Sequence, residues 1–330
     1  STIQHTKVKK HTHIPQLELT HKTTMASKRI EQVANHLEGK FVTAGRRDIG
    51  DEVAVITGGG AGIGQATTLR FLARGVTVVV MDFNPKALKA TEELAKDLKG
   101  EFIGVQGDIR DPKGREAVAE AVRKTGKPLR TLVHNAGVNT PCKMMMDLTP
   151  QGWERAMNIN MNGPLYLTQA LVGLFGKKDP EKNRILFLTT VATMCTGLPN
   201  YGPYCVSKLG ALGVAKMFQE ELPKRETPIY CGRLIPGEVN TGMQEATAYS
   251  ASSGFPEHLV KHWRMLHETK QLLPPTVAGA FIEFVCLDTS AKEFGEDKNW
   301  FIYNNEHHAR WATEFPNVKI VEPKGLAGDH

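Results

Sequence analysis

The sequence is short of cysteine: five in 330 residues, at Cys142, Cys195, Cys205, Cys231 and Cys286, odd in number and without a CxxC pair. That spacing excludes a disulfide-stapled fold and a structural zinc site, so no metal is expected, and it fits a reducing, cytoplasmic setting. Long apolar runs are absent as well. None approaches the roughly 20 residues that a membrane-spanning helix needs. No apolar core precedes a small-residue cleavage site near the start, so neither secretion nor a membrane partner is expected. Nor is there a broad surplus of one charge. The net charge of +6 sits almost wholly in the first 50 residues, with nine Lys/Arg against four Asp/Glu, while the remaining 280 carry 32 against 31. A basic arm can touch phosphates or acidic lipids. A solvated tail is the plainer reading, and no nucleic-acid partner is expected.

Beyond the arm the chain alternates between strand-like and helix-like patterns. Apolar, largely β-branched runs at Val53–Ile56, Val76–Met81, Phe102–Val105, Thr131–His134, Ile185–Thr189, Ile229–Ile235 and Trp300–Tyr303 predict seven strands. Helical stretches are expected from Gly64 to Ala73, Pro85 to Leu98, and over 112–124, 150–175 and 204–222. Strands without polar interruption, separated by helices, signal a parallel sheet covered on both faces. The expectation is therefore an α/β fold, a single doubly wound domain over residues 51–305. A basic arm (1–50) precedes it, with one short amphipathic helix from Ser27 to Leu37, and a tail (306–330) follows.

The first strand runs into Thr57-Gly58-Gly59-Gly60-Ala61-Gly62-Ile63-Gly64. Glycines between a strand and a helix allow a tight turn and close approach of the backbone to a pyrophosphate, which the free N–H groups of the helix N-terminus then hold. A tight turn without a ligand would look similar in isolation. Here the second strand ends on an acid, Asp82, where a carboxylate can accept hydrogen bonds from both adenosine ribose hydroxyls and repel a 2′-phosphate. Ala61 offers no cation to offset that repulsion, so NAD is favoured over NADP. Asp82 could also cap the helix that begins at Pro85.

Tyr204-Cys205-Val206-Ser207-Lys208 places a phenol and an ammonium four residues apart, on one face of a helix. Reducing a carbonyl requires a proton donor beside its oxygen, and oxidising an alcohol requires the reverse. A free tyrosine, with a pKa near ~10, is a poor base at neutral pH, and an adjacent cation lowers that value. A shift of about three units amounts to roughly 4 kcal/mol.

With these motifs in this order, the sequence resembles the short-chain dehydrogenase/reductase family over about residues 51–305, and the expected fold is a Rossmann-type one. The resemblance implies a cofactor site formed by Gly58, Gly62, Ile63, Gly64 and Asp82, by the adenine-contacting pair Asp108-Ile109, and by Asn135-Ala136-Gly137. Pro236, Gly237, Val239 and Thr241, from Pro-Gly-x-Val-x-Thr, would meet the nicotinamide carboxamide. It also implies a catalytic set of Asn160, Thr190, Tyr204 and Lys208. Tyr204 would be the acid/base, and Lys208 would tune it and hold the nicotinamide ribose. Asn160, with Asn158 as the competitor, would order a relay water. Thr190 stands where the family usually has serine, with Thr189 and Thr193 as alternatives. Residues 242–273 correspond to a lid over the substrate, although their Met and aromatic residues can equally form local core. Cys195–Tyr201 and the residues after Gly137 would complete the walls. Family members commonly pair two long helices into four-helix interfaces, implying a homodimer or homotetramer.

The segment Asn299-Trp300-Phe301-Ile302-Tyr303-Asn304, with Met243-Gln244 and Lys270-Gln271-Leu272-Leu273, resembles the end of benzil and sepiapterin reductases, which reduce vicinal dicarbonyls or related groups. The function expected is hydride transfer between NAD(H) and a small-molecule carbonyl or secondary alcohol. The alternatives are an NADPH-dependent dicarbonyl reductase, a weakly catalytic NAD-binding sensor or scaffold, and a non-redox lyase or epimerase.

Overall fold

A computed structural model describes residues 49–193, 198–249, 254–296 and 299–323, all in the larger of two compact units, Phe41–His330. The helix expected at Ser27–Leu37 lies outside the described residues. Seven parallel strands form one sheet: β1 (Val53–Thr57), β2 (Thr77–Asp82), β3 (Phe102–Gln106), β4 (Leu129–His134), β5 (Arg184–Leu188), β6 (Tyr230–Ile235) and β7 (Asn299–Phe301). Their order is β3-β2-β1-β4-β5-β6-β7. The continuous apolar runs are explained by burial: β1, β4 and β5 are buried along their whole length, whereas the edge strand β3 is only half-buried. The direction of winding reverses between β1 and β4, and a crevice opens above their carboxyl ends, the place where ligands bind in open α/β sheets.

The sheet is covered by α1 (Gly62–Ala73), α2 (Pro85–Ala95), α3 (Pro112–Lys124), α4 (Pro150–Met157), α5 (Gly163–Leu171) and α6 (Gly202–Glu221). Two expectations need correction. The helix predicted over 150–175 is broken by a π turn, Asn158–Asn162, and α2 stops at Ala95, short of Leu98. The carboxyl-terminal side adds α7 (Gly242–Tyr249), α8 (Glu257–Glu268), α9 (Pro275–Glu283), α10 (Ala291–Phe294) and α11 (His308–Trp311). Helix α9 was not anticipated. It is buried from Val277 to Glu283, so it carries no amphipathic stripe to read.

Helix α9 packs closely on α1, where a side chain at Gly279 would meet the Ala66 carbonyl carbon at 2.9 Å. At the far end of that contact lies a buried ionic group. Arg70 and Arg74 of α1 both pair with Glu283, Arg70 also pairs with Glu314, and Arg74 with Asp288. Trp311 is buried against Phe281, ring centroids 4.9 Å apart. Among the described residues no helix is long and apolar enough to cross a membrane.

Candidate active site

The crevice is assembled by hydrogen bonds between neighbouring strand ends. Thr57 Oγ1, at the end of β1, accepts from the backbone N–H groups of Asn135 (3.1 Å) and Ala136 (3.0 Å) beyond β4. Asn135 Nδ2 in turn donates to the carbonyls of Thr57 (2.9 Å) and Gly58 (3.0 Å). A side chain at Gly64 would strike the Gly58 carbonyl and the Asn135 amide, so this helix turn closes only with glycine. Gly58 and Gly62 hold φ of +65° and +55°, in the left-handed region.

The helices that start beside this crevice differ at their N-termini. Helices α2, α3 and α4 are capped by the side chains of Asn84, Asp111 and Thr149. Helix α1 begins after Ala61, with no side-chain cap and no acid in its first turn. Its free N–H groups and positive dipole end therefore suit a phosphate. Asp82 does not cap α2, the alternative raised above. Its Oδ2 accepts from Gly60 N–H (2.9 Å) and its Oδ1 from Asn84 N–H (2.9 Å), which holds the half-buried carboxylate against the glycine loop. Asp108 is paired with Arg110, which holds its carboxyl below the usual range. Ile109 is buried, and a side chain at Gly163 would meet its Cγ atoms at 2.9 Å. Thr241 Oγ1 accepts from Gln244 N–H (3.3 Å), and Val239 is buried beside Leu273. With an uncapped helix start, a glycine cradle and a carboxylate at the end of β2, these residues fit a dinucleotide.

Beyond β5 the three threonine candidates separate. The hydroxyl of Thr189 donates to the Leu234 carbonyl (3.1 Å), and that of Thr193 to the Thr190 carbonyl (2.7 Å). Thr190 Oγ1 accepts from the Ala192 N–H (3.2 Å), and its hydroxyl lies beside the Tyr204 phenol, where it favours the phenolate. Lys208 is buried one turn further along α6, and its Nζ donates to the Leu188 carbonyl (2.9 Å), 6.0 Å from the Tyr204 ring centroid. Asn160, inside the π turn, is buried and fully engaged. Its amide donates to Val138 O and Ser207 Oγ, both at 2.8 Å, and its oxygen accepts from Val138 N–H (2.8 Å). Asn158, the competitor, instead accepts from Asn162 (2.7 Å). Ser207 was not singled out, although helical spacing puts it one turn after Tyr204, whose carbonyl its hydroxyl bonds (2.9 Å).

The electrostatics differ from the expectation. The surrounding protein pushes the Tyr204 phenol up to about 12, and burial pulls Lys208 down to about 8. Spacing along a helix predicts a neighbouring cation but not its desolvation. At this site burial outweighs the pull of an ammonium that is already committed to a carbonyl.

Tyr204 and Thr190 face a cleft of about 170 Å³, walled by Ile63, Leu198, Trp263 and Met243 and by the backbone after β6. Tyr201, buried, stacks on Tyr204 with centroids 4.6 Å apart and touches Phe255 (4.8 Å). Within residues 242–273 the described side chains include both packing and cleft-lining ones. Ala248, Leu259, Trp263, Leu266 and Leu272 form a small core of their own, while Met243, Gln244 and Trp263 line the cleft. Of the expected wall Cys195–Tyr201, Cys195, Thr196 and Gly197 lie outside the described residues. Two cleft features went unnoticed in the sequence. One is Tyr201 stacked on Tyr204, and the other is a carboxyl, Glu238, hydrogen-bonded to Tyr303 (2.8 Å).

Comparisons with known proteins agree with this geometry. Residues 52–252 match the family model described as short chain dehydrogenase. The chain is 30% identical to the 3-oxoacyl-[acyl-carrier-protein] reductase FabG of Thermotoga maritima, over 59% of this chain and 76% of that protein. It is 29% identical to the tetrahydroxynaphthalene reductase PfmaG of Pestalotiopsis fici, over 62% of this chain and 71% of that one. A short chain dehydrogenase/reductase from Saccharomyces cerevisiae shares the fold with a TM-score of 0.68 at 22% identity, covering 79% of this chain and 99% of the yeast chain. The chain belongs to the short-chain dehydrogenase/reductase family and is an NAD(P)-dependent oxidoreductase.

Proposed function

We propose that the protein interconverts a small-molecule carbonyl and the corresponding secondary alcohol, with NAD(H) as its cofactor. The observation that carries this reading is the two hydroxyls of Thr190 and Tyr204 that line one cleft, with Lys208 buried one turn along the same helix as Tyr204. When bound, the nicotinamide supplies or takes up the hydride. Gly58, Gly62, Ile63 and Gly64 would hold the pyrophosphate, Asp82 the adenosine ribose, Asp108 and Ile109 the adenine, and Ala136, Gly137, Pro236, Gly237, Val239 and Thr241 the nicotinamide side. The preference for NAD rests on Asp82, whose carboxylate is fastened to the loop that would meet a 2′-phosphate.

In reduction, Thr190 donates a hydrogen bond to the carbonyl oxygen, and Tyr204 gives that oxygen its phenolic proton as carbon is reduced. Oxidation runs the transfer backwards, the alcohol proton returning to Tyr204. A phenol held near 12 keeps its proton at neutral pH, which suits the donor role. Lys208 steadies the phenolate left behind. Asn160 braces the loop after β4 against Ser207, and thereby against the helix that carries both Tyr204 and Lys208.

The test is a panel of ketones and alcohols with NADH, NADPH and their oxidised forms, followed at 340 nm, for the wild type and for Tyr204→Phe. Turnover should vanish in the variant while NAD binding remains, and activity surviving in Tyr204→Phe would refute the acid/base assignment. We further propose a homodimer or homotetramer formed through the outer faces of α5 and α6, where Tyr166, Val206, Leu209 and Met217 are 44%, 40%, 45% and 55% exposed. Among the described residues the thiols of Cys142, Cys231 and Cys286 are free, in keeping with a reducing cytoplasm.

A further inference from the structure

Glu238 is the third residue of Pro236-Gly237-Glu238-Val239 and the only charged residue among the described ones that line the cleft. The cleft also holds the apolar side chains of Ile63, Val191, Leu198, Met243 and Trp263. The carboxyl is held in place. Tyr303, just past β7, donates its hydroxyl to Glu238 Oε2 (2.8 Å) and accepts from the Glu238 backbone N–H (3.0 Å). The Tyr303 ring lies so close over Gly237 that a side chain there would meet its Cζ and hydroxyl at 2.7 Å.

Among the described residues, Tyr303 is the only side chain that hydrogen-bonds Glu238, and no cation pairs with it. A carboxyl in such a cleft with one donor is costly to desolvate unless something else satisfies it. Burial accordingly raises its proton affinity, and Glu322 adds to that effect. The other hydroxyls of the cleft have tasks. Thr190 and Tyr204 address the reacting oxygen, Thr189 bonds the Leu234 carbonyl, and Thr241 caps α7. A ligand that carries a donor on an atom other than the reacting oxygen would complete Glu238.

We infer that Glu238, positioned by Tyr303, selects substrates that carry a hydrogen-bond donor, a hydroxyl or an amine, next to the reacting carbonyl or carbinol carbon. The inference rests on the oxidoreductase reading for the word "substrate", but the recognition it describes is a binding property and can be measured without turnover.

The probes are hydroxymethyl phenyl ketone, its methyl ether and its amino analogue for reduction, and phenylethanediol with its primary methyl ether for binding. The ether keeps the electronic effect of the oxygen and removes only the donor. The wild type should favour hydroxyl over ether by roughly 10- to 100-fold in kcat/KM, the value of a hydrogen bond to a charged acceptor. In Glu238→Leu that ratio should fall to near one. Glu238→Gln, which still accepts, should keep part of it, and Tyr303→Phe should lower it to an intermediate value. A ratio taken within one variant is indifferent to partial loss of folded protein. The amino analogue decides between the two donors: an ammonium should lose more than a hydroxyl in Glu238→Gln.

Calorimetry of phenylethanediol and its ether on NAD-saturated protein gives a second readout. Diol preference in the wild type that is lost in Glu238→Leu supports the inference, even if no ketone is turned over and the oxidoreductase reading falls. Equal or undetectable binding of diol and ether by the wild type, or a preference that persists in Glu238→Leu, overturns it.

Discussion

Along the crevice above β1, β2 and β4 the inward-facing groups are backbone N–H groups and the Asp82 carboxylate. In the cleft beside it they are side chains from widely separated segments, among them Thr190 after β5, Tyr204 on α6, Glu238 after β6 and Trp263 on α8. Backbone can be presented only if side chains are kept away, so the crevice is written in glycines at fixed offsets. The cleft is written in residues whose meaning depends on what packs around them. A phenol with an ordinary pKa near ~10 in water stands near 12 here because of its surroundings.

The comparison can be broken most severely at Gly64. Gly64→Val would push a branched side chain into the Gly58 carbonyl and the Asn135 amide. It should abolish NAD binding, measured by fluorescence titration, and lower Tm by several degrees. On the other side of the comparison, Tyr204→Phe should cost about 10³-fold or more in kcat with little change in NAD affinity. Crevice and cleft would then fail separately, one in binding and the other in rate.

Lys208 contributes a stability effect of its own. It releases its proton near 8 in the folded protein against 10.5 for the free side chain. Between those values the unfolded chain binds the extra proton, so stability rises with pH, by on the order of 3 kcal/mol over the whole window. In Lys208→Met that rise should be missing from chemical denaturation curves taken between pH 7 and 11, and the variant should match or exceed wild-type stability at pH 7 while being inactive. A variant curve as steep as the wild type's would disprove the desolvation argument.

Smaller effects sharpen the contrast further. Asp82→Ala should shift the NAD/NADP ratio of kcat/KM by about tenfold towards NADP, through loss of repulsion and of ribose hydrogen bonds. Thr190→Ser keeps the hydroxyl and removes a methyl, so kcat should change only a few-fold, with KM shifting as the cleft widens.

The sheet was legible because buried parallel strands leave unbroken apolar runs, and all seven expected strands are present within a few residues of their expected ends. The glycine loop and the tyrosine–lysine spacing were legible for a related reason, since each is a local pattern with a local geometric cause. What escaped was not local. The π turn at Asn158–Asn162 inserts a single residue into a helical period, too little to show in composition, yet it is what turns Asn160 inward and leaves Asn158 at the side. Helix α9 is apolar on every face and so has no period to detect. Glu238 and Tyr303 lie 65 residues apart, and only the adjacency of β6 and β7 brings them together.

The ionic group around Arg70 and Arg74 also bears on how the domain is held together. Helix α1 lies early in the domain, but Glu283, Asp288 and Glu314, which pair with its two buried guanidinium groups, lie near the other end of the chain. Closing this ionic group therefore depends on contacts between residues 209 to 244 apart in the sequence, which ties the helix after the glycine loop to the far end of the domain.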